Sequence, residues 1–494
     1  MEGRTVERSR ARVLALAAAV ILATSVTLGP PAQGSTGAPS SSQSLTRGAL
    51  SFSFVASSYV PRTLTPTQWP YYTTTVVPLV DPGVHDAAGV RMYRIGSTLY
   101  NHPVDQAQYA IALIYSYQAS GNVAYLDRAR ANAQRLIDTA VTSRGAIYFP
   151  YPFNFARHGV SSDTMIAPWY SAMAQGQALT VFVRLFEITG DPAYRTAADL
   201  TFNSFRNLRA AGVPWTVLVD SAGYVWFEEY AKDPRPPDLT YNGHIFAIFG
   251  LWDYHRLTQD ADALLLWRGG LTTTWRYFPN VRAMTWISRY CLTHGVQNAL
   301  YHAVHGTQLL DLYTLTGAVE FGRATDALNE DYPWPNISGT VYFSAGAFTG
   351  YRFSASGAIT ASKAFTLSQA SSAPYQTRRR IFGRAGSWFL IGAGVWSGYW
   401  ILETPRRAFA PGMLPSLNIL DYDPPRAVTF GAGPHTGLTF SPSGGVTSSR
   451  TAYLARPSSA PADQRAVING VPYLRITAGI WAGMYVPLSS VLTY

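Results

Sequence analysis

Apolar residues recur at helical spacing from about residue 103 to about residue 330. In QAQYAIALIYSYQA, which begins at Gln106, the residues Tyr109, Leu113 and Tyr117 fall on one stripe and predict a helix with a buried face. The same period predicts further helices over residues 122–140, 170–189, 194–208, 242–258 and 302–316. Short breaks such as Ser-Gly-Asn and Thr-Gly-Asp-Pro separate these helices into pairs. Repeated helical hairpins of this kind favour an α/α toroid.

From about residue 338 the pattern changes to alternation with many Gly, Ser and Thr residues, which is typical of β-strands. This part of the chain also repeats itself. FTGYRFSASGAITASKAFTL from Phe348 aligns with HTGLTFSPSGGVTSSRTAYL from His435, and GVWSGYW from Gly394 aligns with GIWAGMY from Gly479. The sequence therefore predicts a duplicated all-β module. Its role is either to bind cell wall or glycan, or to serve as a structural appendage.

The N-terminus has the pattern of an export signal. Arg4, Arg8, Arg10 and Arg12 precede an apolar run over residues 13–29. A basic start followed by a short apolar stretch predicts a secretory signal, with a membrane anchor of minimal length as the alternative. We therefore expect a protein that is secreted or associated with the cell envelope.

These patterns divide the chain into five parts. They are 1–32 (signal peptide or anchor), 33–99 (flexible leader and short N-terminal segment), 100–335 (helical domain), 336–425 (first β repeat) and 426–494 (second β repeat). The predicted class is a multidomain α plus β protein, in which an α/α toroid precedes the duplicated β module.

Composition and charge narrow the function classes. The single cysteine, Cys291, excludes a disulfide scaffold, and 47% hydrophobic residues exclude a generally disordered chain. A net charge of +10 favours an anionic partner. The basic residues are mostly scattered Arg without a nucleic-acid-binding motif, so an acidic polysaccharide is a better candidate than nucleic acid.

Three stretches of the helical region carry a resemblance to a known family. They are APWYSAMAQGQAL from Ala167, WFEEYAKDPRPPDLTYNGHIFAIFGLWDYHRLT from Trp226, and RYCLTHGVQNALYHAVHGTQLLDLYTLTG from Arg289, with a weaker echo in YNHPVDQAQYAIA from Tyr100. These stretches resemble the C-terminal domain of the D-glucuronyl C5-epimerases, in the family's order and at about its spacing. The resemblance implies an incomplete α/α barrel and an enzyme that converts D-glucuronate to L-iduronate units in heparosan-type polysaccharides. The family's large N-terminal β domains have little counterpart here.

The chemistry of such an inversion can be stated independently of the resemblance. The reaction removes a weakly acidic proton α to a carboxylate, so preorganised donors or cations must stabilise the enediolate. Two groups must face opposite sides of the sugar ring, one to take the proton and one to return a proton. A tyrosine suits this work if nearby cations lower its pKa. A buried carboxylate suits it because desolvation raises its pKa.

The resemblance places these roles on four residues. The family's catalytic Glu falls on Glu229, within Glu228-Glu229-Tyr230, and a family tyrosine falls on Tyr301. We expect Glu229 and Tyr301 to be the opposed acid/base groups. Tyr230 and Tyr290 would orient the sugar or hydrogen-bond the enediolate.

One of the matching motifs departs from the family pattern. The family's YDLRH is YCLTH here, with Cys291 in place of Asp and Thr293 in place of Arg. The missing Arg would have helped to neutralise the substrate carboxylate, and Arg289 is the candidate substitute. The altered motif also supports a non-catalytic alternative, a glycan-binding wall protein with a degenerate enzyme domain.

Further side chains are candidates for substrate binding, each with a structural alternative. They are Tyr170, Gln175, Arg157, Asn242, Arg289 and His302. Tyr170 and Gln175 line the groove or simply pack, and Asn242 contacts substrate or caps a helix. Arg157 and the neighbouring His158 are candidates for binding carboxylates. His294, His302 and His305 lie near one another in sequence, but no carboxylate or cysteine pattern sharpens a metal site there, so we assign no metal and no cofactor.

Two other enzyme classes remain open at this stage. A uronate lyase would remove the same proton and then eliminate the C4 substituent. A glycoside hydrolase would need a carboxylate partner for Glu229, for which Asp163 and Asp238 are candidates. Animal members of the resembling family are dimers, so a homodimer is one candidate assembly.

Overall fold

The computed structural model describes residues 50–79, 81–335, 337–415 and 418–494. The predicted signal over residues 1–32 and the Ser- and Gly-rich leader over residues 33–48 lie outside the described residues. Among the described helices, none is both long and apolar enough to span a membrane.

The helical region consists of consecutive helix pairs. Its helices are α1 (Pro103–Ser120), α2 (Val123–Asp138), α3 (Ala172–Thr189), α4 (Pro192–Asn203), α5 (Tyr241–Thr258), α6 (Ala261–Val281), α7 (Ala299–Thr316) and α8 (Val319–Asp331). The helical hairpins predicted from the sequence are confirmed, and α6 and α8 are helices that the sequence prediction missed. Each odd-numbered helix packs against the even-numbered helix that follows it.

The breaks between paired helices are built from three adjacent positions. Gly190 ends α3 in the left-handed conformation (φ 70°), which a residue without a Cβ adopts at little cost. The side chain of Asp191 then accepts a hydrogen bond from the Ala193 N–H, and Pro192 is the first residue of α4. Between α1 and α2, Gly121 likewise ends the first helix in the left-handed conformation, and the side chain of Asn122 caps the second. The chain therefore reverses direction within two or three residues.

The odd-numbered helices form the inner layer of an incomplete α/α barrel. α1 packs on α3, α3 on α5, and α5 on α7, whereas α1 and α7 share no extended contact in the described part of the chain. α3 and α5 approach each other closely, because a Cβ on Gly250 would lie 2.1 Å from the Gly176 carbonyl oxygen. The row of inner helices is therefore curved and open at its ends.

Short two-stranded sheets lie in the segments that lead into the inner helices α1, α3 and α5. They pair β1 (Tyr93–Ile95) with β2 (Thr98–Tyr100), β3 (Val141–Ser143) with β4 (Ala146–Tyr148), β5 (Phe155–Ala156) with β6 (Thr164–Met165), and β7 (Val217–Val219) with β8 (Val225–Phe227). Each pair comes before an inner helix in the chain. These hairpins therefore carry the loops that surround the N-terminal ends of α1, α3 and α5.

Residues 50–79, which we call the belt, cross the opposite ends of the inner helices. The Arg62 N–H donates to the carbonyl of Leu315 in α7, and the ring of Trp69 lies 6.2 Å from that of Trp252 in α5. The carbonyl of Pro70 in turn accepts a hydrogen bond from the Tyr115 hydroxyl in α1. The belt therefore ties the C-terminal halves of the inner helices together.

The C-terminal part contains two antiparallel sheets of seven strands each. The first comprises β9 (Gly339–Phe343), β10 (Gly346–Phe353), β11 (Ile359–Leu367), β12 (Ser371–Arg379), β13 (Trp388–Ile391), β14 (Trp400–Leu402) and β15 (Ala408–Phe409). The second comprises β16 (Leu420–Phe430), β17 (Gly433–Phe440), β18 (Val446–Leu454), β19 (Ser458–Ile468), β20 (Val471–Ile476), β21 (Tyr485–Pro487) and β22 (Val491–Thr493). The strand that opens the second sheet begins at Leu420, ahead of the boundary predicted at residue 426.

The predicted duplication is confirmed strand by strand. The first sheet has the order β11-β10-β14-β13-β12-β9-β15, and the second has β18-β17-β21-β20-β19-β16-β22, which is the same order of equivalent strands. The repeated tryptophans have equivalent contacts. A Cβ on Gly350 would meet Trp396 at 2.7 Å, and a Cβ on Gly437 would meet Trp481 at 2.5 Å. Each repeat therefore needs a glycine opposite its tryptophan.

Candidate active site

Glu228 and Glu229 lie in the loop that follows β8, and Glu228 holds that loop in shape. The Glu228 carboxylate is fully buried and accepts hydrogen bonds from the backbone N–H groups of Tyr230 (3.0 Å), Asp238 (3.2 Å) and Leu239 (3.1 Å). The backbone N–H of Ala172, the first residue of α3, donates to the Glu228 carbonyl. Glu228 therefore fixes both the loop and its position at the start of α3.

The four residues predicted to be catalytic lie in one cluster. The Tyr290 hydroxyl donates to Glu229 Oε1 at 3.1 Å, and the hydroxyls of Tyr230 and Tyr290 share a hydrogen bond of 2.9 Å. The ring of Tyr301, in the first turn of α7, lies 4.4 Å from the ring of Tyr290. Three separate segments of the chain thus bring a carboxyl group and three phenols together.

The carboxyl group of Glu229 is nearly removed from water. Its exposed fraction is 9%, and burial raises its pKa to about 8. The oxygen Oε2 has no hydrogen-bond partner among the described residues. A Cβ on Gly243, in the first turn of α5, would lie 2.1 Å from Oε2, so a glycine is required at this position. Glu229 therefore combines a pKa close to neutrality with one uncommitted oxygen.

The pKa values of the three phenols shift in the direction opposite to the one that the sequence analysis described as suitable for a tyrosine at such a site. Burial and the charge of Glu229 raise the pKa of Tyr230, Tyr290 and Tyr301 above the ordinary value for tyrosine. The expectation that nearby cations lower a phenol pKa at this site is therefore wrong. In the free protein the tyrosines are proton donors, and Glu229 is the group suited to act as the base.

Aromatic side chains form a wall beside the cluster. Phe155 stacks on Tyr230 with ring centroids 5.6 Å apart, and Trp169 lies 5.9 Å from Tyr230. Trp169 also stacks on Tyr151 at 3.8 Å. The edge of His158 faces Tyr290, with ring centroids 5.7 Å apart. Sequence analysis missed Tyr151, Phe155 and Trp169, although Trp169 lies within the stretch from Ala167 that carries the family resemblance, whereas it named His158 with Arg157 as a candidate for binding carboxylates.

Residues 144–330 match the family model described as the D-glucuronyl C5-epimerase C-terminus. The helical region of this chain is therefore similar to that domain. The matched range includes Glu229, Tyr230, Tyr290 and Tyr301, so the whole predicted catalytic cluster lies inside it.

Individual relatives align over parts of the chain. The D-glucuronyl C5-epimerase of Caenorhabditis elegans is 32% identical over 89 residues, which is 18% of this chain and 14% of that protein. An uncharacterized protein of Methanocaldococcus jannaschii is 31% identical over 172 residues, which is 35% of this chain and 53% of that protein. The chain thus spans about half of the archaeal relative and a smaller part of the nematode enzyme.

Solved structures align with about half of the chain. They include a GH76 alpha-mannanase of Bacteroides thetaiotaomicron (18% identity, TM-score 0.36, covering 50% of this chain and 63% of that one). They also include the cellobiose 2-epimerase of Spirochaeta thermophila (16% identity, TM-score 0.36, covering 49% and 63%).

A second carboxyl group, that of Asp105, lies near the cluster. Asp105 is in the first turn of α1, and its charge raises the pKa of Tyr301 and of Tyr151. Burial raises the pKa of Asp105 itself, and its Oδ1 lies 3.3 Å from His102 Nδ1. The signal for Asp105 in the sequence is the weak family echo that begins at Tyr100.

Three of the predicted substrate-binding residues are occupied by internal contacts instead. Gln175 is fully buried and bonds to the Ile147 carbonyl, the Ser204 hydroxyl and the Phe149 N–H. His302 accepts from the Ser288 N–H and approaches the Leu328 carbonyl with its other ring nitrogen, while burial lowers its pKa to about 4. Tyr170 is buried with its ring 5.8 Å from that of Tyr148. We correct these three assignments to structural roles.

The two arginine candidates also have other partners. Arg157 is fully buried, forms two hydrogen bonds of 2.7 Å to Asp163, and donates to the Pro236 carbonyl. Arg289 is exposed and donates to the Asn280 carbonyl. In the described part of the chain neither guanidinium forms a hydrogen bond or ion pair with Glu229 or the phenols, so the structure does not place Arg289 in the role of the missing family Arg.

Asn242 remains a candidate for substrate contact. The N-cap of α5 is Thr240, so the interpretation of Asn242 as the helix cap is wrong. Asn242 is 1% exposed, its Oδ1 has no hydrogen-bond partner among the described residues, and its carbonyl accepts a hydrogen bond from Gln308 Nε2. Asn242 precedes Gly243, the residue whose added Cβ would meet Glu229 Oε2.

Proposed function

We propose that this protein inverts C5 of glucuronate residues in an acidic polysaccharide and so converts D-glucuronate to L-iduronate units. The observation that carries the proposal is the hydrogen bond between Tyr290 and Glu229, a buried carboxyl group whose pKa is about 8. A group with a pKa near the working pH both takes and returns a proton efficiently. The match of residues 144–330 to the epimerase family model supports the same assignment.

In the proposed reaction the ionised Glu229 takes the C5 proton from one face of the sugar ring. Tyr301 then donates its phenolic proton to C5 from the other face. The phenolate left on Tyr301 regains a proton through Tyr290, which lies between Tyr301 and the protonated Glu229. Glu229 is thereby ionised again, both groups return to their starting states, and the reverse reaction follows the same path.

The negative charge of the enediolate needs stabilisation at this end of the helical domain. Glu229 and Tyr301 lie beside the first turns of α5 and α7, and Asp105 lies in the first turn of α1. The N-terminal ends of helices carry a partial positive charge from their unpaired N–H groups. The phenols of Tyr230 and Tyr290 add O–H donors, so anionic charge on the sugar would meet several donors at once.

The polymer and its location belong to the same proposal. The partly exposed rings of Phe155 and Tyr230 offer apolar surface to a sugar, and the net charge of +10 favours an anionic chain. The basic and apolar N-terminus supports export, and the β repeats are candidates for contact with cell wall or envelope glycan. A homodimer remains one candidate assembly.

The deciding assay is incubation of the full chain with heparosan in heavy water. We expect deuterium at C5 of the uronate and L-iduronate signals in the NMR spectrum. Glu229→Gln and Tyr301→Phe should each lower the exchange rate by about 10²–10⁴-fold, since each removes an acid/base group. Tyr453→Phe is the matched control, because Tyr453 lies in the second β sheet with 75% of its side chain exposed.

The same assay separates the other classes. A lyase would generate a C4–C5 alkene and ultraviolet absorbance, and a hydrolase would release reducing ends. Wild-type protein that binds heparosan without deuterium incorporation would overturn the proposal and favour a glycan-binding protein. For the epimerase, kcat/KM should rise with pH through about 8, because Glu229 must be ionised to act as the base.

A further inference from the structure

Four potential metal ligands meet beside the candidate active site. They are His158, Asp238, Cys291 and His294, and one ligand atom from each lies within 4.8 Å of the others. His158 Nε2 lies 3.1 Å from Asp238 Oδ2 and 3.6 Å from Cys291 Sγ, while His294 Nδ1 lies 2.5 Å from Asp238 Oδ1. Three loops supply these side chains, one after β5, one before α5 and one between α6 and α7.

The types of donor atom suit zinc. Zn²⁺ prefers thiolate, imidazole and carboxylate ligands in tetrahedral geometry, with bonds of about 2.0–2.3 Å. Such bonds place neighbouring ligand atoms roughly 3.3–3.8 Å apart. The observed separations of 3.1 Å and 3.6 Å from His158 Nε2 are close to this range. Small side-chain adjustments would bring the four atoms around one ion.

A second layer of hydrogen bonds supports the same interpretation. His294 Nε2 lies 3.2 Å from Asp163, whose carboxylate is held by Arg157, and Thr240 Oγ1 donates to Asp238 Oδ2 at 3.0 Å. Metal-binding histidines usually donate their second ring N–H to a carboxylate. His294 faces Asp238 with Nδ1 and Asp163 with Nε2, so a metal bound at Nδ1 would leave the Nε2–H to donate to Asp163 in this way.

Burial adds to the case for a metal. Cys291 and Asp238 are both fully buried, and the side chain of His158 is only 10% exposed. His158 also has a left-handed backbone (φ 54°), which is uncommon for a residue with a Cβ and aims its ring toward the other ligands. The loops therefore hold the thiol, the carboxylate and the His158 imidazole largely away from water, and the exposed His294 completes the cluster from the solvent side.

We propose that His158, Asp238, Cys291 and His294 bind one Zn²⁺ in a closed tetrahedral site. Four protein ligands leave no open position, which is typical of a structural rather than a catalytic zinc. The ion would cross-link the loop that carries Tyr290, the loop that leads into α5 and the loop that carries His158. The assignment of no metal from the sequence alone missed this site, because its ligands come from distant segments.

The test is the metal content of the full chain, purified without chelator and dialysed against zinc. We expect about one zinc per wild-type chain by elemental analysis, and a marked loss of zinc in Cys291→Ser and His158→Gln. Asp163→Asn should weaken zinc binding about 10–100-fold, since it removes the second-layer carboxylate. His435→Gln is the matched control, because His435 lies in the second β sheet and should leave the zinc content unchanged.

Cobalt substitution supplies a spectroscopic readout of the site that does not depend on enzyme activity. Replacement of zinc by Co²⁺ in the wild type should give the visible bands of a tetrahedral site and a near-ultraviolet band from the thiolate. Both bands should be absent in Cys291→Ser. Wild-type protein that holds only a small fraction of an equivalent of zinc and shows no thiolate band would overturn the proposal, and the four residues would then be a hydrogen-bonded network.

Discussion

Glu228 and Glu229 are adjacent and equally acidic in the unfolded chain, but their carboxylates have different surroundings. All the contacts of Glu228 are to backbone N–H groups, whereas Glu229 has one bond to Tyr290 and a free oxygen. Burial raises the pKa of Glu228 to about 7 and that of Glu229 to about 8. Glu228 therefore holds the loop in shape, and Glu229 faces the candidate site.

The raised pKa of Glu229 predicts a pH-dependent cost in stability. The folded protein holds this proton more tightly than the unfolded chain, so the contribution of Glu229 to the free energy of unfolding falls as pH rises from about 4.5 to about 8. Glu229→Gln has no proton to lose. As the pH rises from 5 to 8.5, we expect the free energy of unfolding of the variant to increase by at least about 2 kcal/mol relative to that of the wild type.

Urea unfolding followed by tryptophan fluorescence at the two pH values measures this difference. Glu187→Gln is the matched control, because Glu187 forms a partly exposed ion pair with Arg256. A stability difference between Glu229→Gln and wild type that does not change with pH would contradict a raised pKa at Glu229.

At the scale of single residues, the family resemblance located the four candidate catalytic residues but not their surroundings. Glu229, Tyr230, Tyr290 and Tyr301 stand within long motifs, so the resemblance located them. Residues such as Asp105 and His158 reach the site from other loops, and only the fold shows that they are neighbours. The shift of the phenol pKa also depends on burial, which sequence pattern does not reveal.

At the scale of the elements, α6 shows why some helices escaped prediction. Its sequence contains Gly269-Gly270 and three consecutive threonines, both of which have low helix propensity. A Cβ on Gly269 would meet Phe54 of the belt at 2.3 Å, and the Thr272 hydroxyl donates back to the Arg268 carbonyl. Tertiary packing therefore outweighs local propensity here, and the periodic inner helices were easier to predict.

The contact between α3 and α5 predicts the effect of a single methyl group. Gly250→Ala would place a Cβ against the backbone of Gly176, which cannot move aside as a flexible side chain could. We expect a loss of about 1–3 kcal/mol or more in the free energy of unfolding. Thermal unfolding of the purified variant measures it.

Gly306→Ala in α7 is the matched control for this prediction. A Cβ there would meet nothing within 4 Å, so we expect a gain of about 0.5–1 kcal/mol from the higher helix propensity of alanine. Equal effects of the two substitutions would show that the α3–α5 approach is not tight.

At the scale of the whole molecule, the β sheets are docked on the helical region. Asp326 of α8 forms buried contacts with Tyr422, Arg426 and Arg465 of the second sheet. The first sheet also contacts the helical region, through Phe382, whose ring lies 5.1 Å from that of Trp286. Such docking favours a fixed arrangement of the domains and could not be predicted from a sequence repeat alone.

Removal of Asp326 tests this docking. Asp326→Ala leaves the buried Arg426 without its carboxylate and leaves Arg465 with Glu330 alone. We therefore expect a loss of about 3–5 kcal/mol in stability, measured by thermal unfolding. The exposed pair of Asp463 and Arg475 supplies the control, since Asp463→Ala should cost only about 0–1 kcal/mol. A loss in Asp326→Ala no larger than the control would mean that the sheets are not anchored through this residue.

The belt has a consequence for how a long substrate reaches the chemistry. It lies across the C-terminal halves of the inner helices, whereas Glu229 and Tyr301 lie at their N-terminal ends. Among the described residues, the belt therefore covers the ends of the inner helices that lie away from Glu229 and Tyr301. On the proposed function, a polymer would approach from the N-terminal ends of these helices, where sugars in the middle of a strand could lie across the site as readily as those at its tips.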